Sequence, residues 1–247
     1  MSHSKNFGTE AARYLLRLLH LVLLEDSPQK IATAWGERHR VLQNGHYRTL
    51  NVVRFRAEQA EAWQMPKDID AEAARAILEN NTCDDAPVIL GSILEDVYGE
   101  DTVEVLTLWV YPRLYALRAG VPPSPKRLHT VLRIGTNILD LTGGQFGFKW
   151  LWGSERDYRE QFEAPGGLEV CVSLPKLWTD MAEDRPRMNV MYAFLRFTLK
   201  VGQDRWLKAN GETLEGVIMG EDEDKREDLL EKLRVCAEGV WEERGLW

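Results

Sequence analysis

Positive charge is in short supply in this chain. Its 31 Lys and Arg stand against 39 Asp and Glu, a net charge of −8. Binding phosphates over an extended surface needs clustered cations, and the richest basic stretch, Pro125-Lys126-Arg127, is short, so no nucleic-acid partner is expected. Cysteine is scarce too: Cys83, Cys171 and Cys236 are odd in number and lack metal-ligand spacing. That argues against a disulfide framework and fits a reducing, cytoplasmic setting. No apolar run reaches bilayer length. The longest, YLLRLLHLVLL at 14–24, is interrupted by Arg17 and His20, which with Arg13 mark the polar stripe of an amphipathic helix, so neither a signal peptide nor a membrane contact is expected. Neither GxGxxG nor GxxxxGK is present, so Gly143-Gly144 is not read as a phosphate loop, and neither a cofactor nor a metal is called for.

What is there describes a globular protein. The 247 residues are 44% apolar and 28% charged with no low-complexity linker, which suits one domain spanning 1–247: an N-terminal helical part (1–74), a core (75–175) and a C-terminal helical part (176–247). Leu15, Leu18, Leu19, Val22 and Leu23 recur at helical spacing in a first helix, and Ser27-Pro28 has the cap and first-turn signature of a second. Asn44-Gly45 marks a turn before a short strand, LNVVRF at 50–55. Helices are expected over 70–78 and 86–97, the latter with Asp85 as N-cap, then strands over 102–110 and 168–173. Tyr192, Phe194 and Phe197 read as helix packing, the run Glu221 to Asp224 as a helix-capping, solvated face, and Leu229, Leu233, Cys236 and Val240 as the stripe of a last helix. The order of elements predicts an α+β fold with an antiparallel sheet.

The chemistry concentrates in LHTVLRIGTNILDLTGGQFG, residues 128–147. Gly135-Thr136 as a two-residue type II′ loop pairs Ile134 with Asn137 and Leu132 with Leu139. His129 and Asp140 then become diagonal neighbours on one face, roughly 7–8 Å apart at Cα, within reach of a carboxylate-to-imidazole hydrogen bond. A histidine so oriented acts as a general base toward a serine or cysteine on its other ring nitrogen. Cys83 is the candidate, because it precedes the helix predicted over 86–97; Asp84 and Asp85 oppose the thiolate that the helix terminus favours. Cys236 lies on an apolar stripe, and Cys171 shares a strand face with Glu169 and Ser173. His20, His39 and His46 lack comparable context.

The order Cys83, helix, strand, His129, strand, Asp140, closed by NILDLTGGQFG, resembles the core of the transglutaminase-like branch of the papain-like cysteine enzymes over about residues 75–150. Asp140-Leu141-Thr142 and Gln145-Phe146-Gly147 carry the likeness; arylamine N-acetyltransferases share the Cys, His, Asp order more distantly. The resemblance implies a papain-like or transglutaminase-like core in which the cysteine-bearing helix packs on the antiparallel sheet. It further implies Cys83 as nucleophile, His129 as base and Asp140 as orienting group. The approach Asn80-Asn81-Thr82 departs from the glycine-containing approach common in that family. Asn80, Asn81, Gln64 and Gln145 stand as oxyanion or substrate candidates beside the Cys83 amide, and Trp150 and Trp152 as pocket walls.

The expected activity is cysteine-dependent acyl transfer: hydrolysis of an amide, ester or thioester, or transfer to an amine, through a thioester intermediate. The partner is a small-molecule or peptide acyl substrate, with an amine acceptor for the transfer case. The alternatives are a noncatalytic binding protein of the same fold and a helical interaction protein.

Overall fold

The computed structural model describes residues 2–25, 29–43, 45–60, 63–99, 101–165, 169–184 and 186–243, the side chains of 2–6, 29, 186–189 and 241–243 excepted. Their order is α1 (Ser2–Glu25), β1 (Gln29–Gln43), β2 (His46–Gln59), α2 (Ala71–Leu78), α3 (Asp85–Tyr98), β3 (Val103–Val110) and β4 (Leu114–Arg118). There follow β5 (Arg127–Ile134), β6 (Asn137–Leu139), a 3-10 turn (Gly143–Phe146), β7 (Trp152–Ser154), α4 (Glu155–Phe162) and β8 (Val170–Ser173). The chain closes with α5 (Leu174–Asp184), α6 (Pro186–Asn210), α7 (Leu214–Met219) and α8 (Glu223–Glu243). The protein is α+β. No helix among the described residues is long and apolar enough to cross a membrane.

A five-stranded antiparallel sheet, ordered β7-β6-β5-β3-β8, forms the centre. Alternation along β3 explains how it is buried on both sides. Val103 and Val105 join the cluster formed with α1, α3, α6 and α8, while Leu106, Leu108 and Val110 join Val131, Phe148, Tyr158 and Phe162 on the other face. Each such side chain contributes about 1.5–3 kcal/mol on burial, enough to fix the register of the strands. Gly135 turns the β5–β6 hairpin at φ 61°, as the first position of a type II′ loop requires, and Ile134 pairs with Asn137 and Leu132 with Leu139.

The N-terminal part departs from the helical expectation for 1–74. The Ser27-Pro28 signature lies outside the described residues, and β1 follows it instead of a second helix. Its sequence, QKIATAWGERHRVLQ, spaces Ile31, Thr33, Trp35 and Val41 at odd positions, the period of a strand, and has no helical apolar stripe. Gly45, at φ 78°, turns the chain back, and β1 and β2 pair from Gln43 and His46 to Gln29 and Gln59. The short strand expected at 50–55 is the buried middle of β2. That strand pairs in parallel with β4, so the second sheet, β1-β2-β4, is mixed.

Helix α2 starts where expected, with Asp70 Oδ1 accepting from the Ala73 N–H at 2.7 Å. For α3 the N-cap is Asp84 rather than Asp85, and its carboxylate makes no capping bond because it is turned to Thr130, whose hydroxyl donates to Oδ1 at 2.5 Å. In α6, Tyr192, Leu195 and Leu199 form the inward stripe, whereas Phe194 and Phe197 are exposed, so the packing expected of all three aromatics holds only for Tyr192. Leu229, Leu233 and Val240 of α8 are buried, with Cys236 half-buried beside them. The side chain of Asp222 accepts from the Lys225 N–H at the start of that helix.

Candidate active site

His129 sits in β5 opposite Leu108 and is fully buried, as is Asp140 just beyond β6. Its Nε2 lies 3.0 Å from both Asp140 carboxylate oxygens. A carboxylate only accepts, so Nε2 carries the proton. The Thr142 N–H donates to Oδ1 at 3.1 Å and the Tyr158 hydroxyl to Oδ2 at 2.9 Å, which fixes the carboxylate as well as the ring it holds. Burial works against a cationic imidazole here, but the charge of Asp140 and its hydrogen bond, with a smaller contribution from Cys83, raise His129 to about 10. Burial and the same carboxylate raise Tyr158 well above the ordinary phenol range, so it remains a donor.

The other ring nitrogen, Nδ1, is buried and makes no hydrogen bond of ordinary geometry among the described residues, although Cys83 is close enough to the ring to favour its protonated form. The thiol is the electrostatic neighbour of the ring on the cysteine loop. Phe146 covers the imidazole edge-on, with ring centroids 4.9 Å apart.

Cys83 lies in the turn between α2 and α3, half-buried at the edge of a cavity of about 500 Å³. Asn80, Asn81, Asp84, Trp109, Tyr115, Lys126, Arg127, Leu128 and Gln145 share its wall. The loop leading to the thiol is pinned at two points. Glu79 is fully buried and bonds His20 Nε2 at 2.7 Å and Arg75 Nε at 2.5 Å. Asn81 takes the left-handed φ of 63°, which asparagine tolerates better than most residues, and its N–H donates to Gln145 Oε1 at 3.1 Å. That bond orients the Gln145 carboxamide, leaving Nε2 buried, without a partner among the described residues, and on a residue that lines the cavity.

The glycines of TGGQFG are there for close approach. A Cβ on Gly143 would come within 2.5 Å of Asp140 Oδ2, and one on Gly144 within 2.6 Å of Glu79 Oε2. Gly147, at φ 70°, would put a Cβ 2.7 Å from that of Leu114.

Comparison with protein-family models, curated proteins and solved structures finds no match in any of the three. Site geometry therefore has to be read from this chain's own residues.

Of the residues named from sequence, Cys83, His129, Asp140, Asn80, Asn81 and Gln145 come together. Gln64 does not: it is exposed, and its carbonyl accepts from the Ile31 N–H at the base of the β1–β2 ribbon. Trp150 and Trp152 are also absent from the cavity wall. Trp150, ahead of β7, packs edge-on against Tyr158 and Phe162, and Trp152, the first residue of the edge strand β7, stacks on Tyr98 at 5.6 Å. The indole in the wall is that of Trp109. Sequence reasoning missed Tyr158 and Glu79: Tyr158 meets Asp140 from 18 residues away and Glu79 meets His20 from 59. His20 and His39, passed over for lack of context, pair with Glu79 and Glu37. Cys171 is exposed on the edge strand β8, and its thiol is raised by partial burial and by Glu104 and Glu169, against the opposing pull of Arg133.

Proposed function

We propose that this chain is a cysteine-dependent acyl-transfer enzyme, built on a core of the transglutaminase-like, papain-like kind, with Cys83 as nucleophile, His129 as proton carrier and Asp140 as its orienting group. The observation that supports this best is the unpartnered Nδ1 of His129. A histidine kept only for packing satisfies both ring nitrogens when buried, since an orphaned polar atom costs about 1–3 kcal/mol. Here one nitrogen is held by a carboxylate with two further donors, and the other makes no ordinary hydrogen bond among the described residues, while Cys83 acts on the same ring.

The steps follow from those positions. His129, a cation at neutral pH, already holds on Nδ1 the proton drawn from the thiol, and the sulfur attacks the carbonyl carbon, forming a C–S bond and a tetrahedral oxyanion. Gln145 Nε2 and the Cys83 N–H are the donors at hand for that oxygen. As the intermediate collapses, the bond to the leaving nitrogen, oxygen or sulfur breaks, and Nδ1–H supplies its proton. Water or an amine then gives its proton to Nδ1, attacks the thioester and releases the sulfur. Throughout, Asp140 holds Nε2–H and stabilises the imidazolium.

The test is alkylation by iodoacetamide at neutral pH, followed residue by residue. Cys83 should react ahead of Cys171 and Cys236, and His129→Gln should slow Cys83 by about 10²-fold or more. An unchanged rate in that variant would leave a noncatalytic binding protein of the same fold as the better reading.

A further inference from the structure

The cavity beside Cys83 carries more positive charge than it has internal use for. Lys126 and Arg127 both line it, and among the described residues neither forms an ion pair with a carboxylate. Each is laid on an aromatic wall instead: the Lys126 ammonium lies 4.7 Å from the Trp109 ring centroid and the Arg127 guanidinium 5.5 Å from that of Tyr115. The Ser124 hydroxyl donates to the Lys126 carbonyl at 2.8 Å, fixing the loop that presents them. Among the described residues Asp84 is the single carboxylate in the wall, and it is engaged by the Thr130 hydroxyl. The lining also includes apolar Ala116, Leu117 and Leu128.

We infer that the acyl substrate of this site carries its own carboxylate, which Lys126 and Arg127 bind while the apolar wall covers the chain joining it to the reactive carbonyl. The inference rests on the acyl-transfer reading above. Half-buried cations on aromatic faces are poorly hydrated, and a carboxylate recovers charge-assisted hydrogen bonds from both, with the planar guanidinium able to bind it through two. A neutral acyl chain leaves both cations uncompensated, which is how a site discriminates against it. The volume suits a small acid: sites of about 300–1,000 Å³ with few placed polar groups enclose molecules of that class. A half-ester, half-thioester or half-amide of a dicarboxylic acid, or a short peptide ending in a free carboxylate, has this chemistry.

Two maleimides differing only in that charge test it on the intact protein: 6-maleimidohexanoic acid and its methyl ester. The rate at each cysteine is read by peptide mass analysis, with exposed Cys171 as internal reference. The acid-to-ester rate ratio should be about tenfold higher at Cys83 than at Cys171, the size of one charge-assisted contact. It should fall to the Cys171 ratio in Lys126→Gln/Arg127→Gln. In the unaltered protein it should also fall as salt rises toward roughly 1 M, where screening acts within about 3 Å. Equal ratios at the two cysteines, or an excess that survives in the double variant, would overturn the inference. His129→Gln separates it from the catalytic reading: that variant should slow both probes at Cys83 without changing their ratio. Dependence on His129 with no excess for the acid retains acyl transfer and removes the carboxylate site; the excess without dependence on His129 retains the site and removes the catalysis.

Discussion

Two of the three histidine–carboxylate pairs among the described residues have nearly the same length and contrasting surroundings. His39 Nε2 lies 2.8 Å from Glu37 Oε2 on the β1–β2 ribbon, and His129 Nε2 lies 3.0 Å from Asp140 between the sheet and α4. On the ribbon, hydrogen bonds from His39, Trp35 and Arg54 pull the Glu37 carboxyl down to about 2, yet both members of the pair are half-exposed and water screens what those bonds contribute. At the buried pair no solvent competes, and three donors converge on one carboxylate. Contact distance alone therefore says little about the worth of an ion pair. Dryness, and the partners of the atoms left over, separate a site from a surface decoration.

The strongest break of that contrast is at Asp140. Asp140→Ala leaves the imidazole and the Tyr158 hydroxyl without their acceptor in a dry interior, and should cost about 3–5 kcal/mol in chemical denaturation. Asp140→Asn keeps the shape but can present an N–H to Nε2–H, so acyl transfer should fall by about 10⁴-fold in a fold that survives. Unchanged turnover in the asparagine variant would take Asp140 out of the mechanism.

The pH dependence of stability sharpens the contrast by a smaller amount. His129 is raised from 6.5 to about 10, so the folded protein holds this proton more tightly than the unfolded chain. Its contribution is complete below pH 6.5 and is lost as pH rises through about 10. The stability gap between the unaltered protein and His129→Gln should accordingly narrow across that range. A gap independent of pH would mean that the imidazole is not held as a cation.

The smallest effect is expected on the ribbon. His39→Ala should leave the melting midpoint within about 2 °C, as substitutions at half-exposed positions away from the core do, and Cys83 alkylation unaltered. A change in the reactivity of Cys83 would show that the ribbon is coupled to the cavity through β4.

What could be read from sequence was what short-range rules govern. The β5–β6 register followed from Gly135-Thr136 and the strand pattern around it, and α2 from Asp70 and its apolar spacing. The ribbon escaped because its charged, half-exposed strands offer no clean alternation, and because the Ser27-Pro28 signature mimics a helix start. The parallel pairing of β2 with β4 has no local cause at all: it joins Asn51 to Leu114 across two helices and a strand. Within the site, His129 and Asp140 were legible because one hairpin carries both, whereas Tyr158 reaches Asp140 only through the placement of α4. Trp150 and Trp152 were misplaced because proximity in sequence to Gln145 says nothing about which hydrophobic cluster each indole joins.

The turn from Thr142 to Gly147 meets three separate parts of the molecule within six positions. Gly143 lies against Asp140, Gly144 against Arg75 and Glu79, and Gly147 against Leu114, while Gln145 receives the Asn81 N–H. It acts as a ruler with several marks, each aligned to a different neighbour. Changing a side chain alters one mark, but inserting or deleting one residue misaligns those beyond it. The five-residue step from Asp140 to Gln145 is thus a fixed length in this architecture, and loop redesign around the cavity has to begin outside it.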